Sequence, residues 1–304
     1  GSTAQTTVTI SKGSTGNKSY TANWTANTNT AYKVIHQQMG LDGTTYTTVD
    51  TEEKTGTTAA SVTPAVKTYT GFTSPSTQTV TIAANGSTVV TYKYTRNKYT
   101  YTLGSGTGVT TSGSTGSGDY YYGATITLKA SANSGYTWSK WTSSDTNLVA
   151  NNTTANTTFS MPAGKIKMTP SATLNTYTIT YNLNGGSVTT ANPTSYNVTT
   201  ATFTLNNPTK TGYTFAGWTG SNGSTAQTTV TIAKGSTGNK TYTANWTINQ
   251  YTLSVSPNGG VWGGSSGMQN FTQDYNTTKK IDNPTTNAYY TIKYNANRSE
   301  EHTS

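Results

Sequence analysis

The chain has no cysteine, two histidines and only ten acidic residues among its 304. Without cysteine there are no disulfide staples, thiolate metal sites or cysteine nucleophiles. So few imidazoles, with no thiols beside them, also make a zinc site implausible. Charged side chains form 10% of the sequence, so its low mean hydropathy of −0.58 comes from threonine, serine, asparagine and glycine. No apolar run approaches the ~18 residues needed to span a bilayer, and no secretory leader is visible. The first residue is Gly1 rather than methionine, and the sequence is read as a fragment of a longer polypeptide.

What is abundant is threonine, with 74 residues, accompanied by 22 tyrosines. Threonine is β-branched, stiff at χ1 and favoured on pleated surfaces. Regularly placed Val, Ile, Tyr and Trp argue against disorder, which lacks such anchors. The expectation is mostly β structure with hydroxylated outer faces.

The formal charge is +9, which raises the question of nucleic acid. The basic residues are scattered, however, and the densest group is KYTRNK at 93–98. A nucleic-acid binder concentrates charge on one face or helix. Solubility in an acid-poor chain explains the balance better, and no nucleic-acid partner is expected.

The last seven residues, RSEEHTS at 298–304, break from the composition before them. A common short-read sequencing adapter, AGATCGGAAGAGCACACGTCT, encodes that heptapeptide in frame. This tail is read as an adapter artefact and left out of fold reasoning.

Internal repetition organises the rest. Residues 1–25 and 223–247 differ only at Ser11/Ala233 and Ser19/Thr241. Looser versions of this ending are TVTIAANGSTVVTYKY at 79–94 and TTFSMPAGKIKMTPSA at 157–172. Each has an alternating strand, a glycine-bearing loop and a second alternating strand, and is read as a closing β-hairpin. Upstream lies a second block with Tyr-Gly or Tyr-Asn, a short strand, a loop, then Gly-Tyr-Thr-aromatic. Examples are YGATITLKASANSGYTWSKW at 122–141 and YNVTTATFTLNNPTKTGYTFAGW at 196–218. A third block opens modules: YTYTLGSGTG at 99, YTITYNLNGG at 177 and YTLSVSPNGG at 251. YTIKYNAN at 290–297 looks like a further opening.

Modules are therefore expected at 31–97, 98–175 and 176–248, with part-modules at 1–27 and 249–297. Units this small bury only about 60% of their unfolded surface. Each core should depend on aromatic anchors, namely Trp24, Trp141, Trp218 and Trp246 at recurring positions. The linkers around Asn97, Asn175 and Asn249 are short, so a semi-rigid string of beads is expected.

The YNLNGG opening, GYTFAGW and the YTANW ending in 176–248 resemble the internalin B-repeat family, also called Listeria–Bacteroides repeats. Residues 98–175, with DYYYGATITL, GYTWSKW and FSMPAG, are similar to a divergent version. Residues 31–97, with YKVIHQQMGLDGTTY and VTPAVKTYTGF, resemble a mucin-binding-protein repeat. The resemblance implies small β-grasp (ubiquitin-like) modules, mostly β or α+β. It also implies tandem copies on large secreted or wall-anchored proteins, mostly of Gram-positive bacteria, serving as stalks or adhesive modules.

Catalytic chemistry is sparse. Acid–base work needs two positioned carboxylates or a partnered histidine. Glu52 and Glu53 fall on opposite faces of a strand, and no acidic pair recurs between modules. His36 is expected on a solvated strand face. GSGTGVTTSGSTGSG at 104–118 superficially suggests a phosphate loop, but a strand pattern follows where a helix would be needed. No enzyme activity, cofactor or metal is expected. The weak candidates for ligand contact are Tyr120, Tyr121, Tyr122 and Trp262, since one ring of a consecutive three must face away from its neighbours. The expected role is a non-catalytic extracellular spacer at a bacterial surface, without direct membrane insertion. The alternatives are a carbohydrate- or mucin-binding adhesin, contacting glycans, mucins or cell-wall polymers, and an accessory region of a secreted hydrolase.

Overall fold

The computed structural model describes residues 3–144 and 152–285. The chain divides into two compact units, residues 1–133 with 138–173, and residues 134–137 with 174–304. Among the described residues every regular element is a strand.

In the first unit, residues 30–96 supply β1 (Thr30–Met39), β2 (Tyr46–Gly56), β3 (Ser61–Val62), β4 (Phe72–Thr73), β5 (Val80–Thr81) and β6 (Val89–Arg96). The main sheet runs β2-β1-β6-β4, and β3 pairs with β5 in a separate ribbon. Alternation along β1 sends Thr30, Tyr32, Val34 and His36 inward while Ala31 and Lys33 face water. Tyr32, Val34, Ile82, Val90, Tyr92 and Tyr94 form a core of their own.

The next module is built from β7 (Lys98–Leu103), β8 (Val109–Thr110), β9 (Gly118–Tyr121), β10 (Thr125–Leu128), β11 (Ser131–Ala132), β12 (Tyr136–Ser143), β13 (Thr157–Ser160) and β14 (Ile166–Leu174). Its sheet runs β12-β14-β7-β9, with β10 and β13 paired as a ribbon. Trp141 is fully buried among Tyr101, Ile126, Leu128, Met161 and Met168.

The second unit holds β15 (Tyr177–Asn182), β16 (Ser195–Tyr196), β17 (Phe203–Thr204), β18 (Tyr213–Gly220), β19 (Gly223–Gln227), β20 (Thr231–Ile232) and β21 (Lys240–Ile248). Its sheet runs β16-β15-β21-β18-β19, and β17 pairs with β20. Trp218 fills the centre against Ile179, Leu205, Val230 and Tyr242. A two-stranded sheet of β22 (Gln250–Val255) and β23 (Gln269–Asp274) follows.

One wiring recurs three times. The first strand of each module lies parallel to its last, as Val34 opposite Val90, Tyr101 opposite Ile166 and Tyr181 opposite Tyr242. Parallel neighbours need a long crossover rather than a tight turn. Here that crossover contains a short ribbon, β3–β5, β10–β13 or β17–β20. Its apolar residues, including Val62, Ile126, Leu128 and Ile232, join the core.

This wiring corrects the expected closing hairpin. β5 pairs with β3 and β6 with β1, and likewise β20 pairs with β17 and β21 with β15. The glycine-bearing loops at 83–88 and 233–239 carry the chain from ribbon to sheet. Alternation identifies a strand and its buried face, but not its partner.

Two further expectations are corrected. Residues 3–27 contain no strand, and Trp24 is 92% exposed. As a C-terminal half-module they have no first half to pack on. His36 is fully buried rather than solvated, because β1 keeps its even positions inward as far as His36. The tail 298–304 and the opening at 290–297 lie outside the described residues.

Candidate functional site

The three consecutive tyrosines turn out to have three different surroundings, and all three are half-buried. Tyr120 packs edge-on against Tyr101 at 6.1 Å and donates its hydroxyl to the Gly116 carbonyl at 2.8 Å. Tyr121 lies beneath the Lys98 ammonium, 4.7 Å from its ring centre. Tyr122 reaches back to residues 71–72, where its ring meets Phe72 edge-on at 6.1 Å. Trp262, in the second unit, is also half-buried. It donates its indole N–H to the Asp282 carbonyl at 2.7 Å and meets Phe271 edge-on at 6.1 Å. The four do not form one shared surface.

Tyr122 leads to the most developed constellation in the chain. Between β6 and β7 stands a single residue, Asn97. Its N–H donates to the Gly71 carbonyl at 2.9 Å, and its carbonyl accepts the Tyr122 N–H at 2.9 Å. Its side-chain Oδ1 accepts the Thr73 hydroxyl at 2.6 Å. Arg96 adds bonds to the Met39 and Tyr122 carbonyls, each at 2.8 Å, and stacks over Phe72 at 4.6 Å. The joint residue is therefore bonded to the module before it and the module after it. Gly71 has a φ of 81°, and a Cβ there would overlap the Tyr122 ring. Both facts require glycine.

The second unit repeats this arrangement around Asn249, the single residue between β21 and β22. Its N–H donates to Gly212 and its carbonyl accepts from Tyr275, each at 2.9 Å. The Thr214 hydroxyl donates to its Oδ1 at 2.7 Å. Gly212 has a φ of 76°, and a Cβ there would overlap the Tyr275 ring. Asn175 shows the same upstream half, with bonds to Gly135 at 2.9 Å and Thr137 at 2.7 Å. Asn27 shows the downstream half, its carbonyl accepting the Thr58 N–H at 2.8 Å. The residues following the docking amides, Ala59, Gly123 and Asn276, all have positive φ, of 65°, 80° and 54°.

Sequence reasoning found Gly-aromatic-Thr and Tyr-Gly/Tyr-Asn as separate motifs and missed the asparagine that joins them. A signal was present: Asn97, Asn175 and Asn249 recur at the same 78- and 74-residue spacings as the module openings.

A second polar group surrounds His36. Its Nδ1 lies 2.8 Å from the Tyr94 hydroxyl and its Nε2 lies 2.8 Å from Glu52 Oε1. Tyr94 also accepts the Lys67 N–H at 2.8 Å. Lys54 pairs with Glu52 at 2.8 Å, and Lys67 pairs with Asp50. Hydrogen bonds from Lys54 and His36 hold the Glu52 carboxyl down at about 2. An ionised carboxylate only accepts, so Nε2 carries the proton. These groups satisfy one another within one sheet, which makes them a structural network. Among the described residues no cluster of His, Asp and Glu is arranged to hold a metal ion. No helix there is long and apolar enough to cross a membrane.

The structure thus defines a tandem all-β repeat protein whose distinctive sites are its joints. Residues 99–171 match the divergent InlB B-repeat domain, and residues 177–245 match the Listeria-Bacteroides repeat domain. These two stretches belong to the internalin-type B-repeat families, whose repeats are typical of bacterial surface proteins. No curated protein matches the chain.

Proposed function

We propose that this chain is a non-catalytic spacer in the extracellular part of a bacterial cell-surface protein, of the kind anchored to Gram-positive cell walls. The observation that carries the reading is the single-residue joint. Asn97 and Asn249 are each hydrogen-bonded on both sides, leaving little slack between consecutive modules. A spacer needs stiffness at its joints more than it needs a pocket, because flexible linkers let a chain coil back on itself. The B-repeat matches at 99–171 and 177–245 support the surface setting. The half-modules at 1–27 and 249–285, and the module at 31–97, are read as further repeats of the same array.

Residual dipolar couplings on the full chain test the reading. Residues 31–97 and 98–133 should share one alignment tensor, and Gly71→Val should separate them into two. Independent tensors in the parent chain would overturn the stiff-spacer reading. A glycan and mucin array serves as the second arm. Reproducible binding lost on Tyr121→Ala would replace the spacer with an adhesin.

A further inference from the structure

The same 25-residue sequence sits in two opposite environments. In 223–247 it completes a module: Tyr242 is 3% exposed, and Val230 and Ile232 are buried with it. In 3–25 the equivalent Tyr20 is 56% exposed, with Val8, Ile10 and Trp24 exposed beside it. The sequences are the same at these positions, so the difference lies in what covers them. For 223–247 the cover is β15, whose Ile179, Thr180, Tyr181 and Asn182 run parallel to Lys240, Thr241, Tyr242 and Thr243.

The chain also holds an uncovered counterpart of β15. β22 opens with the same Tyr-Thr and runs to the same Asn-Gly-Gly. Among the described residues β22 pairs with β23 alone. The edge that β15 gives to β21 is unoccupied in β22. Leu253, equivalent to Ile179, is 39% exposed where Ile179 is 4% exposed. The likeness extends further along the strand. Gly186, on which the Trp246 ring lies, corresponds to Gly260, and the Ser187–Thr209 bridge corresponds to Val261–Thr285.

We infer that residues 18–24 of one copy of this chain add to the β22 edge of a second copy as a parallel strand, joining copies head to tail. The register carried over from β15 and β21 puts Lys18 opposite Leu253, Ser19 opposite Ser254, Tyr20 opposite Val255 and Thr21 opposite Ser256. Backbone pairing at an open edge supplies affinity, and the alternating side chains supply selectivity. Trp24 then lies over Gly260, as Trp246 lies over Gly186. Exchange into the closed module gains nothing, because seating 3–25 on β15 expels 223–247 and uncovers an equal surface. The free edge of β22 carries no such penalty. The contact joins two different patches, so it is heterologous and adds copies without closing on a two-fold axis.

Sedimentation equilibrium and hydrogen exchange on the full chain test this together. The mass should climb from 32.1 kDa with concentration, while amides at 18–21 and 253–256 gain protection in step. Thr21→Pro blocks the entering strand and Leu253→Lys blocks the receiving edge, so each variant alone should stay monomeric. Mixed, they should form a species of about twice the monomer mass and nothing larger, since each retains one working end. As a check independent of the Leu253 variant's folding, a peptide of residues 15–27 should bind the Thr21→Pro chain one to one. The same peptide carrying Thr21→Pro should not bind. A chain that stays monomeric without protection overturns the inference. So does a monomer with residues 18–21 protected, which would mean closure within one chain, or association that survives both substitutions.

Discussion

Asn97 accepts the Tyr122 amide through its carbonyl and donates its own amide to the Gly71 carbonyl, both at 2.9 Å. One peptide unit thus belongs to two modules. Asn249 does the same between Gly212 and Tyr275. The pattern survives a change of the stacking partner from Phe72 to Tyr213, so backbone geometry sets it more than ring identity.

The joint glycines should be intolerant of side chains. Gly71→Ala places a Cβ into the Tyr122 ring at a φ of 81°. Left-handed strain and the displaced ring together should cost about 1–3 kcal/mol. Gly212→Ala should behave alike through Tyr275. Gly116→Ala, with open space around it and no positive φ, should be close to neutral. Thermal denaturation of the three variants measures the contrast.

The tryptophans should split by environment. Trp141 and Trp218 are fully buried, so replacing either with alanine should cost about 3–5 kcal/mol. Trp24→Ala, at a 92% exposed position, should stay within about 0.5 kcal/mol of the parent. Each core is built from its own module's residues. Hydrogen exchange should therefore show Trp141→Ala loosening 98–133 while 177–244 keeps its protection.

Acid should weaken the module at 30–96 through Glu52. Its carboxyl is depressed from 4.5 to about 2, first by the Lys54 hydrogen bond and next by that from His36. A depressed acid contributes stability above its unfolded value, and that contribution drains as the pH falls from about 4.5 towards 2. Glu52→Gln should flatten this limb of the stability–pH curve and lower stability at neutral pH. A denaturation series from pH 7 to pH 2 reads both effects.

Tyr101 makes the opposite case. Its ring is fully buried, and its hydroxyl has no hydrogen-bond partner among the described residues. Burial raises it from 10.0 to about 12. Unfolding therefore becomes easier as the pH climbs above 10, where only the unfolded chain ionises. Tyr101→Phe should remove that sensitivity. Deleting an unsatisfied buried hydroxyl should also raise stability at neutral pH, by about 1 kcal/mol.

Much of this architecture was legible in the residues. The alternation of Tyr32, Val34 and His36 marks an inward face, and the recurring tryptophans mark Trp141 and Trp218 as anchors. The outward threonines behave as expected of strand surfaces, with Thr204 and Thr231 pairing across the ribbon at 3.0 Å. Other features were not legible. A side chain's face follows from a period of two, which is local. The partner of a strand follows from which distant edge is free, which is not. The apparent hairpin at 228–247 was therefore two strands in two different sheets. His36 lost its place in water because Tyr94, 58 residues further on, closes over it.

The sequence by itself determined the repeat, the strand periodicity, the scarcity of ionisable chemistry and the B-repeat likeness, all of which are written in local order and composition. Only the tertiary structure decided which strands pair in parallel, where Asn97 and Asn249 clamp, and that one 25-residue sequence is buried at 223–247 and bare at 3–25. Burial depends on the complementary half-module, and no stretch of sequence carries its own cover.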